Sequence, residues 1–404
     1  MIKRELFLKK VRPFIGTDVI KVITGLRRSG KSVFLELLQE EIRKSEPDAN
    51  IFTVNLDDEE NSRYLAKGVL YERANELLRN AGDKIVHLFF DEIHDVEEWE
   101  TAINSLRMRK NADIYITGSN SKMLSGELST YLTGRYVEIC ITPFSFAEFI
   151  EAVRPFFHDD DRLRLFNKYL VKGGMPFLAK IGYDDDACRT YLQDLYNAVL
   201  MKDVVRRKQI RDTDLLDRVV RYVMTECGHT FSARSIVAFL KSERRETSVE
   251  TILNYISACE DAFLIRRVPR QDLLGKRILS VDEKFYVTDT GIRNTIVHGN
   301  LRRDIDRLLE NVVYFELQRR GYEITIGRVK DKEVDFVCDK GAERLYVQVA
   351  YTVVGDETRQ REFGAFEQLG TSDKRLLLTM DQLDMSEGAL QHRFIPDFLL
   401  DYST

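Results

Sequence analysis

The eight residues Gly25-Leu-Arg-Arg-Ser-Gly-Lys-Ser32 decide the fold of the first part of this chain. They match the pattern G-x-x-x-x-G-K-[ST], in which backbone amides and a lysine surround phosphate groups. The apolar run Ile20–Thr24 precedes the motif and predicts a buried strand, and Ser32–Lys44 follows it with apolar residues at helical spacing. Because a phosphate loop requires a strand, a glycine-rich loop and a helix in this order, we predict one here in preference to a chance glycine-rich turn.

Each part of the predicted loop has a chemical role in binding a nucleoside triphosphate, which we expect to be ATP with Mg²⁺. Gly25 and Gly30 allow positive φ angles and a close approach of the backbone to phosphate. The following helix adds the positive end of its dipole. Lys31 is expected to contact the β- and γ-phosphates, and Ser32 to bind Mg²⁺. The predicted nucleotide-binding residues are Gly25, Leu26, Arg27, Arg28, Ser29, Gly30, Lys31, Ser32 and Val33.

A second motif, Ile85-Val-His-Leu-Phe-Phe-Asp91-Glu92, is an apolar strand that ends in two acids. Asp91 stands where a carboxylate would complete the Mg²⁺ site, and Glu92 where a base would orient the attacking water. Two acids at the end of a buried strand are also compatible with solvated loop residues. With the phosphate loop upstream, the pair favours hydrolysis of ATP over binding alone.

Two further positions are candidates for the same site. Polar residues end the fourth predicted strand, and among them we choose Ser119 as the sensor of the γ-phosphate, with Thr117 and Asn120 as rivals. A turn-forming cap is the alternative for Ser119. Arg135 precedes the fifth predicted strand, where an arginine is able to reach the γ-phosphate of a neighbouring subunit; a surface salt bridge is the alternative. If Arg135 acts in this way, the active protein is a homo-oligomer, such as a ring.

The spacing of apolar runs predicts an α/β fold for residues 1–150. Short β-branched or aromatic runs alternate with helical patterns, as in a parallel sheet that has helices on its faces. The predicted strands are Ile20–Thr24, Ile51–Leu56, Ile85–Asp91, Asp113–Gly118 and Tyr136–Ile141. We therefore expect residues 1–150 to form a P-loop nucleotide-binding domain.

The rest of the chain divides into three predicted domains: a helical lid at 151–211, a winged helix-turn-helix at 212–298 and an α/β domain at 299–404. The lid is predicted from helical patterns at Ser145–Val153, Asp161–Lys172 and Asp184–Arg207. The winged helix is predicted from helical patterns at Asp214–Glu226, Ser232–Lys241 and Ser248–Cys259 and an extended run at Phe263–Val268. The last domain is predicted from helices at Asp304–Arg320 and Arg359–Leu369 and strands at Tyr322–Ile326, Val334–Val337, Leu345–Tyr351 and Arg375–Thr379.

Composition excludes several classes of protein. Hydrophobic residues make up 44% of the chain and charged residues 31%, as in a globular protein. No apolar run reaches the length of a membrane span, and the N-terminus lacks a signal-peptide pattern, so we expect a cytoplasmic protein. The five cysteines lie too far apart for a CxxC zinc site and are predicted to be buried thiols.

The net charge is −5, yet residues 202–277 hold 16 Lys and Arg against 11 Asp and Glu, which favours contact with a polyanion such as DNA.

The order of motifs resembles that of bacterial and archaeal AAA-type ATPases whose C-terminal half is a domain of unknown function. The motifs that carry the resemblance are Lys21-Val-Ile-Thr-Gly-Leu-Arg-Arg-Ser-Gly-Lys-Ser, Phe89-Phe-Asp-Glu-Ile, Ile116-Thr-Gly-Ser, Gly134-Arg-Tyr, Pro143-Phe-Ser-Phe-Ala-Glu-Phe, Gly173-Gly-Met-Pro, Tyr286-Val-Thr-Asp-Thr-Gly and Glu333-Val-Asp-Phe. They extend over nearly the whole chain. The resemblance implies an AAA-like nucleotide domain, a winged-helix segment and a C-terminal domain similar to the PD-(D/E)xK, or restriction-endonuclease-like, nucleases.

The C-terminal residues depart from the nuclease pattern that the resemblance implies. That pattern sets an Asp before a strand with Glu-x-Lys, and a helical Glu upstream; the carboxylates hold Mg²⁺ and the lysine assists the attacking water. Glu310 and Asp335 fill two of these positions, but Gln348 and Ala350 replace the Glu and the Lys. We therefore predict an inactive nuclease fold with a vestigial site at Glu310, Asp335 and Gln348.

The predicted winged helix has two uses. Arg234, Lys241, Arg244 and Arg245 are placed to contact DNA phosphates around a recognition helix. The same helix exposes Glu250 and Glu260, which are unfavourable in a DNA groove, so packing against protein is the alternative.

We therefore expect an oligomeric AAA-type ATPase that couples ATP hydrolysis to DNA binding or remodelling. One alternative is a nucleotide-gated signalling or assembly switch with protein partners, and another is an ATP-regulated DNA nuclease. Stimulation of ATP hydrolysis by DNA separates the first two. Mg²⁺-dependent cleavage that is lost in Asp335→Ala would support the third.

Overall fold

The computed structural model describes residues 2–121, 134–157, 161–273, 277–355 and 374–401, together with residues 275, 364, 366 and 369. For residues 277–282 it describes the backbone alone. The chain forms two compact units, one of Met1–Thr142 with Asp261–Phe263 and the other of Pro143–Glu260 with Leu264–Thr404. The finer division at 150/151, 211/212 and 298/299 stays a prediction.

The first unit is built on a five-stranded parallel sheet. Its strands are β1 (Ile20–Thr24), β2 (Asn50–Asn55), β3 (Val86–Asp91), β4 (Ala112–Gly118) and β5 (Tyr136–Cys140). Their order in the sheet is β2-β3-β4-β1-β5. All residues of β1, β3 and β4 are buried, because both faces of a parallel sheet are covered. This order places β4 between the strand that leads into the phosphate loop and the strand that ends in Asp91.

Helices cover both faces of this sheet. They are α1 (Glu5–Val11), α2 (Lys31–Ser45), α3 (Val69–Asn80) and α4 (Trp99–Arg107). Successive strand residues point to opposite faces, so Phe89 packs with α1 and α2 while Phe90 packs with α3 and α4. The carboxyl ends of all five strands therefore share one edge of a rigid, two-sided core.

Helices form most of the first part of the second unit. They are α5 (Phe146–Val153), α6 (Arg162–Lys172), α7 (Asp185–Ala198), α8 (Thr213–Thr225), α9 (Ala233–Ser242), α10 (Val249–Asp261), α11 (Thr290–Val297) and α12 (Leu301–Arg319), and α13 (Ile395–Leu400) comes later. Ser145 and Glu148 form a capping box that starts α5. The helix predicted at Asp184–Arg207 is observed, but its second half, Val199–Arg206, is a π-helical segment with wider hydrogen bonding.

The second unit also contains an eight-stranded mixed sheet. Its strands are β6 (Thr230–Phe231), β7 (Ile265–Asp272), β8 (Arg277–Val287), β9 (Glu323–Val329), β10 (Lys332–Lys340), β11 (Glu343–Val349), β12 (Lys374–Thr379) and β13 (Leu390–Phe394). Their order is β13-β12-β11-β10-β9-β7-β8-β6, and β7 pairs in parallel with β9. Strands from both sides of the predicted 298/299 boundary thus belong to one sheet.

The observed elements agree with the sequence predictions in some places and differ in others. The five strands of the first unit are observed within one residue of their predicted bounds, whereas seven elements were not predicted: α1, α3, α11, α13, β6, β8 and β13. The predicted helix Arg359–Leu369 lies largely outside the described residues. All five cysteines are free; four are buried as predicted, and Cys140 is half-buried. Within the part of the chain that the structure describes, no helix combines the length and apolar character needed to cross a membrane.

Candidate functional site

The predicted phosphate loop joins β1 to α2 through three residues with positive φ. Gly25 has a φ of +140°, and a Cβ at this position would lie 2.2 Å from the backbone oxygen of Ile141. Arg28 has a φ of 62° and Gly30, the residue before α2, a φ of 101°. Positive φ angles are unstrained in glycine, so the loop can follow this path because the motif supplies glycine at its two ends.

Lys31 and Ser32 begin α2 immediately after the loop. The Lys31 side chain is buried, and its Nζ donates hydrogen bonds to the backbone oxygens of Gly25 at 3.3 Å and Leu26 at 3.5 Å. Ser32 is exposed at the first turn, and its hydroxyl is near enough to the Asp91 carboxylate to act to lower the pKa of that acid. The structure therefore joins the first motif to the second through Ser32 and Asp91.

Asp91 ends β3 as a buried acid with two hydroxyl partners. Burial raises its pKa, although the hydrogen bonds from Ser32 and Thr117 act in the opposite direction. The hydroxyl of Thr117, on β4, donates to Asp91 Oδ1 at 2.5 Å and accepts the backbone N–H of Glu92 at 2.8 Å. Thr117 thus fixes the direction of both acids.

Glu92 follows Asp91 in a left-handed conformation, with a φ of 55°. Its Oε1 lies 3.4 Å from Lys31 Nζ, and its Oε2 lies 3.3 Å from Nδ1 of His94. Burial acts to raise the pKa of Glu92, but Lys31, His94 and Arg27 outweigh it, and the pKa is lowered. The carboxylate is therefore ionised and able to accept a proton or a hydrogen bond from water.

Ser119 follows the last residue of β4 and is fully buried. Its strand lies between β1 and β3, so Ser119 is at the edge that carries the phosphate loop. Its rival Thr117 makes the bonds to Asp91 and Glu92, while Asn120 is half-buried. The sensor role of Ser119 stays a prediction, and Thr117 gains a structural role that the sequence did not reveal.

Arg135 lies at the opposite edge of the same sheet. Its backbone oxygen accepts the N–H of Ile20, where β1 begins, and its side chain is exposed. The phosphate loop begins five residues later at Gly25, roughly 16 Å along the strand. Arg135 therefore does not reach the phosphate loop of its own chain.

Arg4 is a buried residue beside the phosphate loop that sequence reasoning missed. Its Nη2 donates to the backbone oxygen of Thr142 at 2.6 Å, and its Nη1 donates to that of Ser29 at 3.4 Å. Because it precedes α1 and belongs to no motif, no sequence signal separates it from the other charged N-terminal residues. The guanidinium ties the N-terminus to the loop.

The predicted DNA-contacting residues lie in the second unit on and after α9. Arg234, Lys241 and Arg244 are exposed. Arg245 is half-buried and forms an ion pair with Asp214 at 2.5 Å. The structure leaves three of the four side chains available for a polyanion and engages the fourth in an internal contact.

The predicted vestigial nuclease residues come together in the second unit. Glu310 of α12, Asp335 of β10 and Gln348 of β11 line one cavity of about 940 Å³. Gln348 Oε1 accepts the backbone N–H of Asp335 at 3.2 Å. Ala350 stands at the lysine position of the pattern as predicted, but a lysine from another strand, Lys284 of β8, enters the cavity, and its Nζ lies 2.8 Å from Glu310 Oε1. A strand remote in sequence from the motif supplies this cation.

Residues 17–150 match the family described as AAA domain, and residues 163–303 match a domain of unknown function (DUF8612). An uncharacterized protein of Haemophilus influenzae is 35% identical, and the alignment covers 99% of each chain. The uncharacterized protein MJ1544 of Methanocaldococcus jannaschii is 30% identical over 91% of this chain and 81% of that protein. This chain belongs to their family. Its phosphate loop, parallel sheet and paired acids form an AAA-type P-loop domain.

One solved structure with a similar arrangement is that of the Orc1 protein of Aeropyrum pernix in complex with DNA. It matches 76% of this chain and 94% of its own chain, with 9% identity and a TM-score of 0.34.

Proposed function

We propose that this AAA-type protein binds ATP at the carboxyl edge of its five-stranded sheet and hydrolyses it. One observation carries the proposal: Lys31, Ser32, Asp91 and Glu92, which come from two distant motifs, meet at this edge through direct contacts. Phosphate binding needs the loop amides and the lysine, and hydrolysis needs an oriented water. The loop and these four side chains together supply both requirements.

The residues have distinct roles in this proposal. The backbone amides of the loop and the N-terminus of α2 face the phosphates, and Lys31 neutralises charge on the β- and γ-groups. Glu92 accepts a hydrogen bond from the attacking water and orients it. Thr117 holds Asp91 and Glu92 in place, and Ser119 contacts the γ-phosphate or the water.

The donor set at this edge fits Mg²⁺. A serine hydroxyl and a buried carboxylate, Ser32 and Asp91, are already within hydrogen-bonding distance of one another. Oxygen ligands of these types suit a hard cation that keeps part of its water shell. When bound, Mg²⁺ supplies charge neutralisation on the phosphate oxygens.

We further propose that the active form is a homo-oligomer, for example a ring. Arg135 is exposed and lies too far from its own loop to stabilise charge there. An arginine at that edge is able to act on the γ-phosphate of a neighbouring subunit. Oligomerisation would then be a condition for full activity.

We propose that the protein couples ATP hydrolysis to the binding or remodelling of DNA. The order α8, β6, α9, α10, β7 and β8 supports a winged helix-turn-helix, and Arg234, Lys241 and Arg244 are exposed next to α10. Cationic side chains around such a helix contact the phosphate backbone. The lid at 151–211 and an inactive nuclease-like domain at 299–404 complete the proposed arrangement.

A second candidate function is a nucleotide-gated switch that binds a protein. Phe239 of α9 and Leu253 of α10 are 45% and 43% exposed, close in sequence to the same basic residues. Exposed apolar side chains favour contact with protein more than with phosphate.

The test is ATP turnover with and without duplex and single-stranded DNA, combined with size analysis in ATP. Lys31→Ala is the control that should abolish nucleotide binding. Turnover that rises with DNA supports the first function, and ATP-dependent assembly with turnover insensitive to DNA supports the second. No turnover above Lys31→Ala under any condition would refute hydrolysis.

A further inference from the structure

Three carboxylates in the second unit surround one lysine ammonium. Lys284 Nζ, on β8, lies 2.8 Å from Oε1 of Glu310, 2.7 Å from Oε1 of Glu333 and 3.5 Å from Oδ1 of Asp335. The acids come from α12 and from alternate positions of β10, so they share one side of the cavity. The lysine side chain is 4% exposed. An ammonium group thus occupies the point on which the three acids converge.

We propose that Lys284 is a built-in cation that holds these carboxylates together in place of a divalent metal ion. Converging carboxylates are the ligands that hard divalent cations take in proteins. An ammonium group has three N–H donors, so it can contact each of three carboxylates at an ordinary ion-pair distance. The three carboxylates therefore have their positive partner without a metal ion.

The other contacts of the acids agree with this role. The hydroxyl of Tyr286 donates to Glu310 Oε1 at 2.5 Å, and the backbone N–H of Val349 donates to Asp335 Oδ2 at 2.9 Å. Nη2 of Arg270 lies 3.6 Å from Glu333 Oε2 and adds a second positive charge. Glu310 and Asp335 thus each have a hydrogen-bond donor besides Lys284, Glu333 has a second ion pair, and two cations balance most of the charge of three acids.

The charge state of Lys284 also supports its role as a built-in cation. Burial acts to lower its pKa, but the three acids outweigh burial and raise the pKa well above its usual value. The ammonium therefore stays charged at any physiological pH and is a poor proton acceptor. A divalent ion beside it would meet direct like-charge repulsion. With Lys284 between the acids, no three His, Cys, Asp or Glu side chains among the described residues are arranged to hold a metal ion.

The functional consequence concerns the whole cavity. A lysine fixed in this way cannot activate water as a base, and it blocks the position from which a cation would polarise a phosphodiester. Because Lys284 belongs to β8, it also joins the β7–β8 hairpin to α12 and β10. The cluster is an anchor between these elements rather than a metal-dependent nuclease centre.

Manganese binding measured by electron paramagnetic resonance, without nucleotide, tests the proposal. Lys284→Met removes the charge and retains a long side chain. It should bind one additional Mn²⁺ at least about tenfold more tightly than the wild type does at this cavity, since the repulsion is removed. The added site should disappear in Lys284→Met combined with Asp335→Asn. Lys332→Met, at the same cavity, is the matched control and should gain no site.

Measurements on the wild-type protein can refute the proposal even if Lys284→Met does not fold. Mn²⁺ binding by the wild type that is lost in Asp335→Asn would overturn the proposal, as would Mg²⁺-dependent DNA cleavage that requires Asp335. A folded Lys284→Met protein that gains no Mn²⁺ site would also overturn it. Lys284→Arg should remain metal-free and retain the melting temperature of the wild type within a few degrees, whereas a melting temperature as low as that of Lys284→Met would contradict the role of the charge.

Discussion

Replacing Thr117 by valine should damage the nucleotide site without touching a phosphate-binding residue. The threonine hydroxyl donates to the Asp91 carboxylate at 2.5 Å and accepts the backbone N–H of Glu92 at 2.8 Å. Thr117 is fully buried, so water cannot replace either bond. Valine has nearly the same volume, and the substitution therefore isolates the two hydrogen bonds.

The size of the effect follows from the partners. A hydrogen bond to a charged group contributes about 1.5–3 kcal/mol, and a buried N–H left without an acceptor costs about 1–3 kcal/mol. Partial relaxation of Glu92 reduces the total, so we expect a loss of about 2–4 kcal/mol in the free energy of unfolding. The pKa of Asp91 should rise further, because its ionised form loses a donor.

Urea denaturation followed by tryptophan fluorescence measures this loss. The single tryptophan of the sequence, Trp99, is buried in α4 and reports on the first unit. With a slope of about 1–3 kcal/mol per molar urea, the midpoint should fall by about 1–2 M. Thr117→Ser keeps the hydroxyl and is the matched control. Equal midpoints for the valine and serine variants would refute the role assigned to Thr117.

Three more changes test other parts of the structure. Gly25→Ala places a Cβ 2.2 Å from a backbone oxygen, so ATP affinity and the melting temperature should both fall, whereas Gly355→Ala, with nothing within 4 Å, should change neither. Unchanged ATP binding in Gly25→Ala would contradict the loop geometry. Burial raises the pKa of Asp289 to about 6, so the folded state holds this proton more tightly than the unfolded state does. Its contribution to the free energy of unfolding should therefore fall by about 2 kcal/mol between pH 4 and 6, a slope that denaturation of Asp289→Asn should lack. Equal slopes in both proteins would count against that pKa. Arg135→Ala should lose turnover and recover part of it when mixed with Lys31→Ala protein, and an absence of recovery would exclude action between subunits.

The bounds of the strands of the first unit could be predicted from the sequence because they depend on local patterns. Buried parallel strands read as continuous apolar runs, and the two motifs mark where β1 and β3 end. The same motifs identified Lys31, Asp91 and Glu92. Thr117 was only a rival candidate, since its bonds depend on β4 lying between β1 and β3, and this order is not visible in a pattern of residues.

The second unit was less predictable because its pairing is long-range. No strand was predicted at β8, where Asp282, Glu283 and Lys284 interrupt the apolar pattern. The strand forms because β7 and β6 pair with it on either side. The charges of Lys284 and the acids on α12 and β10 meet only after β7 pairs with β9. A sequence motif therefore shows that Ala350, just after β11, stands at the lysine position, but not that Lys284 lies in the same cavity.

Glu92→Gln is the sharpest test of ATP hydrolysis at the edge where the two motifs meet. This change removes the proton-accepting charge and leaves the phosphate loop, Ser32 and Asp91 intact. The variant should bind ATP as the wild type does but hydrolyse it at least about 100-fold more slowly, so that the isolated protein carries ATP in place of ADP. Turnover equal to that of the wild type would contradict the account.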